Sequence, residues 1–76
     1  MDKQQFAAEV ERLKPRLYRI TRLYLDSEAM AVEAVDEAVY QALRSLKKLR
    51  QPEYFATWLT RILINECQKE LRRRRR

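Results

Sequence analysis

The chain contains no glycine. Tight β-hairpins rely on residues that accept positive φ, and two prolines do not replace them, so a turn-rich β fold is excluded. The same absence excludes loops whose bare backbone cradles phosphates, such as the P-loop and the dinucleotide fingerprint. Histidine is missing as well, which removes the common zinc sites, Ser-His-Asp triads and Cys-His pairs. No catalytic residue, metal or cofactor is implied, and an enzyme is the least favoured class. With 46% hydrophobic residues the chain is apolar enough to fold, and 76 residues suit one domain without a large enclosed cavity. The expectation is an all-α fold over residues 1–76, a small bundle of three to four helices.

Periodicity supports helix from end to end. Apolar residues at 6, 10, 13, 17, 20 and 24 follow the three-and-four spacing of a helical stripe. Pro15 interrupts it, either starting a second helix or kinking a continuous one. Asp2 and Gln5 have capping-box spacing, and Asp26, Ser27 and Glu28 supply cap and first-turn residues for a new helix. That helix, about 28–48, would bury Ala31, Val35, Ala38, Ala42, Leu46 and Leu49, with Val32, Val39 and Leu43 beside them. Gln51, Pro52 and Glu53 form a break, and Pro52 suits the first turn of a long, basic last helix. Phe55, Leu59, Leu63, Cys67 and Leu71 mark its buried face.

The net charge of +6 is unevenly spread. Residues 1–46 carry 7 basic and 8 acidic side chains, a net of −1, and residues 47–76 carry 10 and 3, a net of +7. An acidic middle and a basic end suggest two surfaces for two kinds of partner. The N-terminus lacks a signal-peptide pattern, and no apolar run approaches the roughly 18 residues of a membrane span, so no membrane insertion is expected. Cys67 has no second cysteine to pair with, in keeping with a cytoplasmic setting. The initial Met suggests a natural N-terminus, while an end inside five arginines reads like a cut.

Two constellations carry possible chemistry. Trp58, Arg61, Asn65, Gln68 and Arg72 recur along one side of the last helix, away from Leu59 and Leu63. An exposed indole in line with amides and guanidinium groups suits single-stranded nucleic acid, because the ring stacks on bases while the amides read edges and the cations hold phosphates. The competing reading makes Trp58 a core residue beside a solvated polar face. Tyr54 and Phe55 flank the helix N-terminus, where a phosphate could dock, although Phe55 suits a hydrophobic staple better. The second constellation is the acidic face Glu33, Asp36, Glu37, Tyr40, Gln41 and Arg44. Tyr40 amid charge is unusual for a solvated face, and an acidic surface suits a basic protein partner. The terminal arginines could complement a helix macrodipole or form a disordered tail, and Cys67 suits a small core position.

Three stretches together resemble the second conserved region of bacterial sigma factors of the extracytoplasmic-function type. Ala31–Arg44 (AVEAVDEAVYQALR) is similar to the family's A-x-D-x-x-Q-E-x-F-x-x-A-W-R, and Phe55–Asn65 (FATWLTRILIN) to its F-x-x-W-L-x-R-I-x-x-N. Leu17–Leu25 (LYRITRLYL) looks like its lead-in. The resemblance implies a four-helix domain that binds core RNA polymerase and opens promoter DNA. It would dock Glu33, Asp36, Glu37, Tyr40, Gln41 and Arg44 on the coiled coil of the polymerase β′ subunit. It would use Tyr54, Thr57, Trp58, Arg61, Asn65, Gln68, Lys69, Arg72 and Arg73 to capture the non-template single strand of the minus-ten element. An anti-sigma protein is a further partner the family allows. Asp36 stands where the family has Gln, Leu43 where it has Trp, and the loop Arg50–Tyr54 is short. The family's second domain, for the upstream promoter element, has no counterpart in these residues. Two other classes compete: a helical protein-interaction module, and a duplex reader of the helix-turn-helix kind, whose tight turn the sequence lacks.

Overall fold

The computed structural model describes residues 1–74, and Arg75 and Arg76, the last of the basic run, lie outside the described residues. Among those residues the fold is all-α. Helix α1 spans Lys3–Arg22, α2 spans Glu28–Arg44 and α3 spans Phe55–Arg74, with 3-10 turns at Leu46–Lys48 and Pro52–Tyr54. The bundle therefore has three α-helices, not the four that the family resemblance implied.

The difference lies at Pro15. Helix α1 runs through it without a break, so Pro15 starts no second helix. A proline inside a helix forgoes one bond to the carbonyl four residues back. Here Pro15 and Glu11 are both exposed, so water can satisfy that carbonyl. At the start of α1 the Asp2 carboxylate accepts from the Gln5 N–H at 2.8 Å, and the Gln5 amide oxygen accepts from the Asp2 N–H at 3.0 Å. This is the expected capping box. Ser27 caps α2, its hydroxyl oxygen accepting from the Met30 N–H at 3.3 Å. Helix α2 ends at Arg44, and the residues after it tighten into a 3-10 turn where the pattern predicted helix to about 48. Pro52 opens the second 3-10 turn, immediately before α3.

Helix α2 packs against both neighbours and most extensively against α3. Its inner stripe, Ala31, Ala34, Val35, Ala38 and Ala42, is buried, and small side chains let the other helices approach closely. Phe6, Val10, Leu13 and Leu17 of α1 and Phe55, Leu59, Leu63 and Cys67 of α3 complete the core with Leu25. The Phe6 and Phe55 rings meet edge to face at 5.5 Å, fixing the start of α1 against the start of α3.

Three expectations about the core are corrected. The α1 stripe continues from Leu17 to Thr21 and then Leu25, whereas Ile20 and Tyr24 are only half-buried. Thr21 tolerates full burial because its hydroxyl donates to the Leu17 carbonyl at 2.7 Å. Val32 and Leu43 are each 40% exposed, since at about 100° per residue they sit well round from the Ala31–Ala42 stripe. Leu46, Leu49 and Leu71 are half-buried.

Candidate functional site

The outer face of α2 displays Glu33, Asp36, Glu37, Tyr40 and Arg44, all exposed. Tyr40 is 56% exposed and the Arg44 guanidinium lies 5.5 Å from its ring centroid, a cation–π contact one helical turn apart. The aromatic is thereby braced in an outward position. Gln41 is placed differently from the other five. It lies on the α3 flank, half-buried, and its amide Nε2 donates to the Glu66 carboxylate at 2.8 Å. Asp36 sits on the opposite flank, lining a groove with Phe6, Val10 and Lys14 of α1 and Leu43 of α2. Lys14 is paired with Glu11, and that hydrogen bond, with a smaller contribution from Asp36, raises its pKa.

Helix α3 separates its residues by side. Phe55, Leu59, Leu63 and Cys67 form the inner stripe, four residues or about one helical turn apart. Arg61, Asn65, Gln68, Lys69 and Arg72 are exposed, as is Thr57. Tyr54, in the turn before α3, is 58% exposed, while Phe55 is buried as a staple. Trp58 falls between the two readings the sequence offered, an exposed stacking ring and a core residue: it is half-buried, packed on the core with its ring 6.0 Å from Phe55 and tilted by 44°. Three helical residues turn about 300°, so Trp58 falls only about 60° from the buried Phe55. It has one surface on the core and one toward solvent.

Arg73 also departs from its neighbours. Its guanidinium pairs with Glu70 at 3.3 Å and lines a cleft between α2 and α3 with Glu33, Glu37 and Glu66. Among the described residues no carboxylate pairs with Arg61, Lys69 or Arg72. Glu66 and Glu70 were not singled out in the sequence. For Glu70 the signal was present, since Arg73 and Arg74 follow at three- and four-residue spacing.

Cys67 is fully buried beside the Thr21 hydroxyl. Burial raises its pKa, and the hydrogen bond with Thr21 partly opposes that shift. A buried thiol held neutral is a packing group and not a nucleophile. Among the described residues no cluster of carboxylates or Cys could hold a metal ion, and no helix is long and apolar enough to cross a membrane.

The sequence matches a known protein family. The family model described as Sigma-70 region 2 matches residues 10–76. The RNA polymerase sigma factor SigV of Bacillus subtilis (strain 168) is 29% identical over 63 residues, covering 83% of this chain and 38% of SigV. The chain thus spans well under half the length of that curated relative. No solved structure matches it. The family is one of transcription-initiation factors and is not a class of enzymes. With the order of its motifs and its likeness to SigV, the chain belongs to the sigma-70 region 2 family, in the extracytoplasmic-function branch.

Proposed function

We propose that this domain docks on core RNA polymerase through the outer face of α2 and captures the non-template strand of the minus-ten element through the outer side of α3. The observation that carries this reading is the division of labour between the two helices. Helix α2 turns acids and a braced Tyr40 outward, and α3 turns unpaired cations and amides outward beside the half-buried Trp58.

On α2, Glu33, Asp36, Glu37, Tyr40 and Arg44 meet the basic flank of the β′ coiled coil, with Tyr40 supplying buried area and the acids setting orientation. Gln41 contributes from behind, holding α3 in register through Glu66. On the other side, Tyr54 and Trp58 offer ring faces to unpaired bases at the N-terminal end of α3. Thr57, Asn65 and Gln68 are within the same strip to read base edges, and Arg61, Lys69 and Arg72 hold phosphates. Strand separation follows from this arrangement because the rings can stack only on bases that have left the duplex. An anti-sigma protein would compete for either face.

The test combines retention of the tagged domain on core polymerase with permanganate reactivity of promoter thymines in the assembled complex. Retention together with new reactivity around the minus-ten element is expected. Retention without any opening would leave a polymerase-binding module and remove the strand-capturing role.

A further inference from the structure

Five arginines in a row look uniform in sequence, but the three described ones are not equivalent. At about 100° per residue Arg72 falls on the outer side of α3 with Arg61 and Asn65, whereas Arg73 returns to the line of Phe55, facing α2. There it meets Glu70. One carboxylate oxygen lies 3.3 Å from Arg73 Nη1 and the other lies 3.9 Å from Arg74 Nε. The Glu70 side chain is 31% exposed, set back in the cleft between α2 and α3, while those of Arg73 and Arg74 are 72% and 57% exposed. Glu33 and Glu37 of α2 and Glu66 of α3 line the same cleft, so the local field also favours drawing Arg73 inward.

We infer that Glu70 withholds Arg73 and Arg74 from nucleic acid and thereby suppresses binding to duplex DNA, a conclusion that rests on α3 being the strand-capturing helix. A phosphate backbone accepts any available cation, whether or not the bases are paired. Stacking on Tyr54 and Trp58, by contrast, is available only to unpaired bases. Each arginine held back therefore lowers the indiscriminate part of binding and leaves the discriminating part. Duplex loses more, because its charge is denser and each neutralised phosphate releases about 0.9 counterion against about 0.7 for a single strand. Glu70 thus acts on selectivity through two neighbouring arginines and touches no base itself.

The test is fluorescence anisotropy of the whole chain with a labelled promoter single strand and with its duplex, across a salt titration. Glu70→Gln keeps the shape and removes the charge. It is expected to tighten binding at low salt roughly two- to fivefold, the scale of exposed ion pairs, with duplex gaining more than single strand. The logarithmic salt slope for single strand should steepen by about 0.7 for each arginine released. Glu66→Gln makes the same change of net charge one turn earlier, where the direct partner is Gln41 and only the field of the cleft changes, and should steepen that slope far less than Glu70→Gln. Adding Arg73→Ala and Arg74→Ala to Glu70→Gln should abolish the gain. Equal effects of Glu66→Gln and Glu70→Gln, or an unchanged slope in both, would overturn the inference and reduce Glu70 to one charge among many. The strand-capturing reading fails separately, if Trp58→Ala binds the single strand as tightly as the original chain. A chain with no measurable affinity for DNA, with or without Glu70, would overturn both.

Discussion

Trp58 stands at the boundary between core and surface, and its substitution is expected to show both roles. One side of the ring packs on the core beside Phe55 and part of it stays accessible, so Trp58→Ala should lower stability by about 1–3 kcal/mol, less than the 3–5 typical of a fully buried Trp. In the proposed role its accessible surface supplies stacking worth about 1–3 kcal/mol per base, so promoter opening should fall on every sequence tested. Asn65 is exposed, and Asn65→Ala should leave the melting temperature unchanged while altering which promoter base is preferred. Arg72→Ala should weaken all sequences alike. Melting curves run beside permanganate footprints separate these effects, and a destabilised Trp58→Ala domain that opens promoters at the normal rate would refute the stacking role of Trp58. Cys67 makes a different forecast. Its pKa is raised in the folded state by burial, so the neutral thiol is favoured there and its contribution to stability is complete below the ordinary thiol range. That contribution is lost as pH rises through the folded value. The melting temperature should fall at alkaline pH, more steeply than in a Cys67→Ala variant, and iodoacetamide should label the native thiol far more slowly than the unfolded one.

Helix α2 turns its proposed docking face outward and its packing face inward, which makes it the element where a charge reversal is cleanest. Glu37→Lys alters an exposed side chain opposite Ala38 and Ala42. Helical content and melting temperature should be unaffected, while retention on core polymerase weakens. A loss of roughly 0–1 kcal/mol in affinity would place Glu37 at the rim of that interface, and several kcal/mol would place it at the centre. Undiminished assembly after reversal at both Glu37 and Asp36 would sink the docking assignment. This helix was also the most legible in sequence, because its alanines and valines keep strict helical spacing and nothing else competes for the inner face. Elsewhere the pattern misled for physical reasons. Thr21 looks polar, yet its hydroxyl is satisfied by the Leu17 carbonyl, which allows it into the core in place of Ile20. Pro15 looks like a boundary, but on an exposed side a missing N–H costs one solvated carbonyl and the helix continues. The outward α3 strip was readable from its spacing, apart from Trp58, whose angle to Phe55 decides its burial. Gln41 joins Glu66 across 25 residues, and a bond of that range leaves no trace in local periodicity.

At the scale of the whole molecule the two halves of the charge distribution become two directions in space. The net of −1 over residues 1–46 includes the outer acids of α2, and the net of +7 over residues 47–76 includes the outer cations of α3. The acidic outer face of α2 repels nucleic acid, so in the proposed role DNA would approach from the α3 side. Arg61, Lys69 and Arg72 are the α3 cations that face solvent there without an acidic partner among the described residues. Three phosphate contacts to a single strand correspond to a logarithmic salt slope of about −2, to which basic residues beyond this strip would add. Single-stranded minus-ten DNA should therefore bind with that salt dependence and more tightly than duplex of the same sequence at every salt concentration. The preference should persist at high salt, where the phosphate contribution has faded and stacking on Tyr54 and Trp58 remains. A purely electrostatic binder behaves in the opposite way, preferring the denser charge of the duplex and losing both ligands together as salt rises. Competition between the two forms across a salt series distinguishes these behaviours, and equal or tighter duplex binding throughout would return the domain to the class of conventional duplex readers.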